Sequence, residues 1–164
     1  MIWLIGQILK NHLNSIKNKS MPLGNYTSQF LANVYLNKLD YFIKFKLKVK
    51  YYIRYVDDFV ILHNNKSILE FYKKEIENFL KNNLKIELHK DKSKIISLHK
   101  GIQFLGFRNF YHYKLLKKSN IRQIKRNLKG WNELNNEQLI FRIEGWKAHA
   151  YHCNSYNLVK KLKI

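Results

Sequence analysis

Asp57 and Asp58 are adjacent carboxylates set between two short runs, Lys50-Tyr51-Tyr52-Ile53-Arg54-Tyr55-Val56 and Phe59-Val60-Ile61-Leu62, that are rich in aromatic and β-branched residues. Such runs favour strands, so the pattern predicts strand, tight turn, strand, with the acidic pair at the bend. Aspartate is also a good turn former, and a plain solvated turn is the alternative. Two carboxylates about 5 Å apart repel by roughly 3 kcal/mol at an effective dielectric of about 20. Water and flexibility relieve that repulsion, and so does a divalent cation, which prefers hard oxygen ligands. On the residues alone both readings stay open.

The rest of the chain says what such a pair would act on. Lys and Arg total 31 against 11 Asp and Glu in 164 residues, a formal net charge of +20. A folded chain with that charge repels itself unless a polyanion shares it, and nucleic acid fits better than an anionic membrane surface. Hydrophobic residues make up 46% of the chain and aromatic residues 15%, which excludes a disordered basic tail. The lone Cys153 rules out an intramolecular disulfide and reads as a small buried hydrophobe. The opening residues lack the pattern of a signal peptide, and no run approaches a membrane span, so a cytoplasmic protein without a membrane partner is expected.

The elements that must position the pair follow in order. Residues 1–14 read as a helix, with Ile2, Ile5, Leu9 and Leu13 on one face. It starts with no capping residue, which suggests a missing N-terminal portion. A polar loop over 14–20 leads to Met21-Pro22-Leu23-Gly24, where Gly24 permits backbone geometry that other residues resist. Asn25, Thr27 or Ser28 is placed to cap a helix running to about Lys46, with Phe30, Leu31, Val34, Leu39, Phe42 and Ile43 as its buried face. Asp40, in mid-helix, reads as a charge on that helix's surface. After the acidic hairpin, Ile68, Leu69, Tyr72, Ile76, Phe79 and Leu80 form one helical stripe. Leu84-Lys85-Ile86-Glu87-Leu88 alternates as a half-buried strand. Residues 89–94 make a basic turn, and Gly101–Phe107 reads as a glycine-bounded strand with Phe110–Leu116 as its partner. From Asn120 the periodicity turns helical: Ile121, Ile124 and Leu128 share one face, and Arg122, Lys125, Arg126 and Lys129 recur on another. That basic stripe is spaced to track phosphates or to form a solvated face, and the net charge favours phosphates. A last helical region from about Glu137 is expected to bury Leu139, Ile140, Ile143 and Trp146 or their neighbours. The composition shifts near residue 117.

Taken together, these motifs resemble the reverse transcriptases of prokaryotic retroelements. Tyr55-Val56-Asp57-Asp58 is similar to the metal-binding hairpin of these polymerases, and Leu23-Gly24-Asn25-Tyr26-Thr27-Ser28-Gln29 to their nucleotide and template loop. The Leu-Gly-x-x-x-Ser-Gln form is closer to diversity-generating retroelement enzymes and related bacterial ones than to group II intron enzymes. Lys92 stands where the family often places a lysine near the triphosphate, Gly101–Phe107 resembles the primer-grip hairpin, and Trp146–Tyr156 the closing segment of the thumb.

The resemblance implies an α+β fold: a partial right-hand polymerase palm over residues 1–116, helices on an antiparallel sheet, then a helical thumb over 117–164, with fingers absent. It implies nucleotidyl transfer to a primer 3′-hydroxyl with two Mg2+ ions, on an RNA template paired with DNA, from deoxynucleotide triphosphates. Asp57 and Asp58 would be metal ligands and Lys92 would act on the pyrophosphate. Gly24, Ser28, Gln29 and Tyr55 would form the nucleotide and template pocket. Phe104, Leu105 and Gly106 would set the primer terminus, and Arg122, Lys125, Arg126 and Lys129 would hold the duplex. The family also uses a third carboxylate from an Asp-x-x-x-Phe-Phe motif, and residues 1–20 contain no Asp or Glu. The expectation is therefore a C-terminal part of a polymerase, inactive alone and completed by a separate N-terminal polypeptide. A non-catalytic nucleic-acid-binding remnant is the alternative, and a membrane-surface role for the first helix is a distant third.

Overall fold

The computed structural model describes Trp3, Gln7, residues 26–131 and residues 135–162. Trp3 and Gln7 are helical; the rest of the helix expected over 1–14, the loop over 14–20 and Gly24 lie outside the described residues. The chain is α+β and forms two compact units, Met1–Ile95 and Ile96–Ile164. The composition shift near residue 117 falls inside the second.

In the first unit, helix α1 (Tyr26–Tyr41) runs into a wide π-helical turn, Phe42–Lys46. The hairpin β1 (Tyr51–Tyr55) and β2 (Asp58–Leu62) follows, then helix α2 (Lys66–Phe79) and a second wide turn, Leu80–Leu84. Asn65 caps α2, its side chain accepting from Ser67 N at 2.8 Å. The core is Leu39, Ile43, Val49, Ile76, Leu80 and Leu84, with Tyr52, Phe59 and Ile61 of the hairpin packed against it. Each such buried aliphatic contributes about 1.5–3 kcal/mol.

The stripe expected on α2 is observed: Ile76 and Leu80 are buried and Tyr72 and Phe79 pack beside them. The face expected from Phe30 to Ile43 is met at Leu39, Phe42 and Ile43 but not at its start. Ala32, Leu36, Leu39 and Ile43 turn inward, whereas Phe30 and Val34 are exposed. The half-buried strand expected over 84–88 is absent. Leu84 closes the wide turn, Lys85 has φ 53°, and residues 85–89 have no regular structure. The left-handed Lys85 breaks the alternation, so Leu84 is buried and Ile86 exposed.

In the second unit, β3 (Ile102–Phe104), β4 (Phe107–Asn109) and β5 (Lys114–Leu116) form an antiparallel meander. Gly101–Phe107 is thus a hairpin rather than one strand. Its two-residue turn is Leu105-Gly106, with φ of 51° and 83°, the sign pattern tight hairpins need. Helices α3 (Lys118–Gly130), α4 (Asn136–Ala150) and α5 (Tyr156–Leu162) complete the unit. Leu116, Ala150 and Val159 form its core with Phe107, Ile121, Trp146, Cys153 and Leu158 against them. Ile140, expected to be buried, is exposed; Leu139, Ile143 and Trp146 are half-buried. Cys153 is half-buried and donates to the Ala150 carbonyl at 3.1 Å.

Candidate functional site

The register Tyr51↔Leu62, Ile53↔Val60, Tyr55↔Asp58 leaves Val56 and Asp57 as the two-residue turn. Side chains alternate across the hairpin. Tyr52, Arg54, Phe59 and Ile61 lie toward the core, while Tyr51, Ile53, Tyr55 and both Asp57 and Asp58 are exposed. The sequence therefore presents its acidic pair at the open end of a hairpin anchored by its other face. Val56 has φ 54°, a left-handed conformation normally filled by Gly, Asn or Asp. For a β-branched residue that conformation costs about 1–2 kcal/mol, so neighbouring contacts must hold it.

Arg54 makes those contacts. Its Nη1 donates to the Val56 carbonyl at 2.6 Å and to Asn33 Oδ1 at 2.9 Å, and its Nε donates to Asp40 Oδ1 at 2.7 Å. Its Nη2 donates to Asp40 Oδ2, completing a two-pronged ion pair. Tyr52 donates its hydroxyl to Asp40 Oδ1 at 2.6 Å. The Arg54 side chain is 10% exposed and that of Asp40 27%. Burial acts to raise the Asp40 carboxyl, but the bonds from Arg54 and Tyr52 and the Arg54 charge outweigh it and hold it below its ordinary value. Burial and the bond to Asp40 push the Tyr52 phenol up. The bond to Asp40 likewise raises Arg54 against its own desolvation. Asp40 is thus not a loose charge on a helix surface. Its partner lies fourteen residues away, and no local pattern joins the two.

The other expected residues of the first unit are spread over separate elements. Ser28, half-buried, and Gln29, exposed, occupy the first turn of α1. Lys92 is exposed in a turn whose Lys92 and Ser93 amides both donate to the His89 carbonyl, at 3.2 and 2.9 Å. Among the described residues no ion pair joins Lys92 to Asp57 or Asp58. No group of three or more His, Cys, Asp or Glu among them is arranged to hold a metal ion. The hard oxygens of Asp57 and Asp58 suit a divalent cation.

In the second unit Leu105 stands exposed at the tip of the β3–β4 hairpin, with Phe104 half-buried beside it. Gly106 accepts at its carbonyl from Lys117 N at 3.0 Å and Asn120 Nδ2 at 3.3 Å, which fixes the tip against the start of α3. There Lys100, Gln103, Arg108, Lys117, Lys118 and Arg122 line a cavity of about 470 Å3 that has no acidic residue in its wall. Arg108 is held by two bonds to the Lys100 carbonyl and lies over the Phe110 ring. Of the four cations expected on α3, Arg122 enters this cavity, Lys125 and Arg126 are exposed on the helix, and the Lys129 side chain is not among those described. Periodicity does not single out Lys100, Arg108, Lys117 or Lys118. A signal is present all the same: two lysines at a helix start oppose the helix dipole, where anions are favoured.

A family model, Reverse transcriptase (RNA-dependent DNA polymerase), matches residues 3–109, more than half of the chain. The chain belongs to the reverse transcriptase family. The match takes in α1, the acidic hairpin and the β3–β4 hairpin, and leaves β5 and the three helices after it outside. Reverse transcriptases act on a nucleic-acid template with nucleotide substrates and generally use divalent metal ions. No curated protein matches the chain. Among the described residues no helix is long and apolar enough to cross a membrane.

Proposed function

We propose that Asp57 and Asp58 are two of the three carboxylates of an RNA-directed DNA polymerase site, carried on a partial palm over 1–116 and followed by a thumb-like segment over 117–164. The observation that carries the reading is the hairpin: one face anchored in the core, and the acidic pair presented with Tyr55 at the exposed end. Mg2+ is the ion we assign to the pair. A bound pair of such ions lowers the pKa of a primer 3′-hydroxyl and offsets the charge of the departing pyrophosphate. The protein's own part is to hold and orient. The two carboxylates supply oxygen ligands, and Lys92 supplies a cation for the pyrophosphate. Gly24, Ser28, Gln29 and Tyr55 shape the nucleotide and template pocket, and Phe104, Leu105 and Gly106 set the primer end. The cationic cavity with Lys125, Arg126 and Lys129 takes backbone phosphates.

The third carboxylate does not come from the N-terminal half of this sequence. Asp40 is the only acidic residue ahead of the pair, and it is committed to Arg54. We therefore assign the missing ligand, and the fingers, to sequence outside these residues, and residues 1–164 by themselves extend no primer. The Leu-Gly-x-x-x-Ser-Gln form relates it to diversity-generating retroelement and similar bacterial enzymes working in the cytoplasm.

Divalent-cation binding tests the reading. Mn2+ titrated into the folded chain and followed by electron paramagnetic resonance should bind with a dissociation constant of roughly millimolar, as expected for a site with few ligands. Asp57→Asn combined with Asp58→Asn should abolish the binding; equal binding in wild type and double variant contradicts the assignment. The net charge and the cationic cavity also support a second reading, a nucleic-acid-binding remnant without chemistry. That reading predicts salt-dependent binding of an RNA–DNA duplex with no specific cation site at the hairpin.

A further inference from the structure

We infer that Arg54, locked by Asp40, is a positioning residue for the acidic turn, and that the Asp40–Arg54 pair sets how Asp57 and Asp58 are presented. The inference rests on the reading of those two carboxylates as a cation site. The hairpin ladder closes at Tyr55↔Asp58, so strand pairing does not reach the Val56 carbonyl, which lies beyond it. Arg54 does reach it, at 2.6 Å, and Val56 is the residue whose left-handed φ sets the direction of the chain into Asp57. A single guanidinium group thus spans the turn and helix α1. Nη1 is shared between Val56 and Asn33, while Nε and Nη2 are both committed to Asp40. Asn33 and Asp40 are seven residues apart, two turns along one face of α1, so the turn is referenced to the helix as well as to its own strands. Tyr52, one of the core-facing residues of β1, bonds the same Asp40 oxygen and fixes the carboxylate from the strand side.

The pair also has an electrostatic consequence. With Asp40 in place the Arg54 charge is neutralised within its own pair, which leaves Asp57 and Asp58 for a cation.

The test uses the full chain and two readouts: hydrogen exchange at the Tyr55 and Asp58 amides, the pair that closes the hairpin ladder, and Mn2+ affinity. Arg54→Gln should speed exchange at those amides and weaken Mn2+ binding, each by about tenfold, the factor that corresponds to about 1.4 kcal/mol. Asp40→Asn should move both in the same direction by a smaller factor. If Arg54→Gln does not fold, Arg54→Lys keeps a charge for Asp40 but lacks the fork that spans Asp40 and Val56, and it should show the same two changes. Adding Val56→Gly to the Arg54 variant should restore most of the Mn2+ affinity, because glycine holds a positive φ without a clamp. Ile124→Val, a core change in the second unit, should lower stability while leaving both readouts at wild-type values. Unchanged exchange and affinity in the Arg54 variants, or no restoration by Val56→Gly, overturns the inference. Should wild type bind no Mn2+, the cation-site reading fails, and the exchange data still decide whether Arg54 holds the turn.

Discussion

Replacing Asp40 by Asn removes one charge from the Arg54–Asp40 pair while keeping its shape, and the effect on stability can be bounded from the geometry. Three hydrogen bonds converge on the carboxylate, two from Arg54 and one from Tyr52. Breaking a fully buried pair by removing one partner costs about 3–5 kcal/mol. A fully exposed pair contributes about 0–1 kcal/mol. Arg54 is 10% exposed and Asp40 27%, so the pair lies between these limits, toward the buried one. Asparagine retains one acceptor oxygen, and the expected loss is about 2 kcal/mol at neutral pH. The pH dependence has a definite sign. The folded carboxyl titrates below its ordinary value, so the fold favours the ionised form. Its stabilisation is complete above the unfolded value of about 3.9 and is lost as pH falls through the lower folded value. Urea unfolding at several pH values, with the slope held common, measures the difference between wild type and Asp40→Asn. It should be constant from about pH 5 to 8 and should close as the pH drops through the acid range. A difference below about 0.5 kcal/mol at pH 7, or one that widens on acidification, would show that the ion pair does not stabilise the fold in this way.

Further outcomes follow from other parts of the structure. Ile43→Ala empties a position with no solvent exposure and should cost about 2–5 kcal/mol in urea unfolding. Gly106→Ala places a Cβ 3.3 Å from Asn120 Nδ2 at φ 83°, and should lower stability by about 1–2 kcal/mol in a thermal melt. Lys118→Ala with Arg122→Ala removes two cations from the cavity wall. It should flatten the plot of log affinity against log salt for a duplex by about 0.9 for each phosphate no longer neutralised, read by fluorescence anisotropy.

Much of this is legible in the residues. The acidic hairpin, the α2 stripe and the helix with Ile121, Ile124 and Leu128 are local patterns in which side-chain period and turn chemistry agree, and the family resemblance rests on the first of them together with the other motifs in their order. Where structure and expectation part, the cause is backbone geometry or tertiary packing. Leu84–Leu88 alternates like a strand, but the left-handed backbone at Lys85 breaks the period, and no propensity marks that residue for it. The start of the inward face of α1 differs from expectation because Phe30 and Val34 are as apolar as Leu36, and only tertiary packing chooses between them. The role of Asp40 is hidden for another reason: a helix residue meets a strand residue fourteen positions later, and sequence spacing carries no record of that meeting. The cations gathered from Lys100 to Arg122 are likewise a product of the fold, since a hairpin and a helix start bring them to one cavity.

Whether Asp57 and Asp58 belong to a polymerase site completed from outside these residues is decided by primer extension. The full chain would be mixed with a separately supplied reverse-transcriptase fingers and first-palm segment, an RNA template with a DNA primer, deoxynucleotide triphosphates and Mg2+. The proposed site requires no product from either piece alone, extension from the two together, and loss of that product with Asp57→Asn. Equal extension with Asp57→Asn, or no extension from a combination shown to associate, would contradict it.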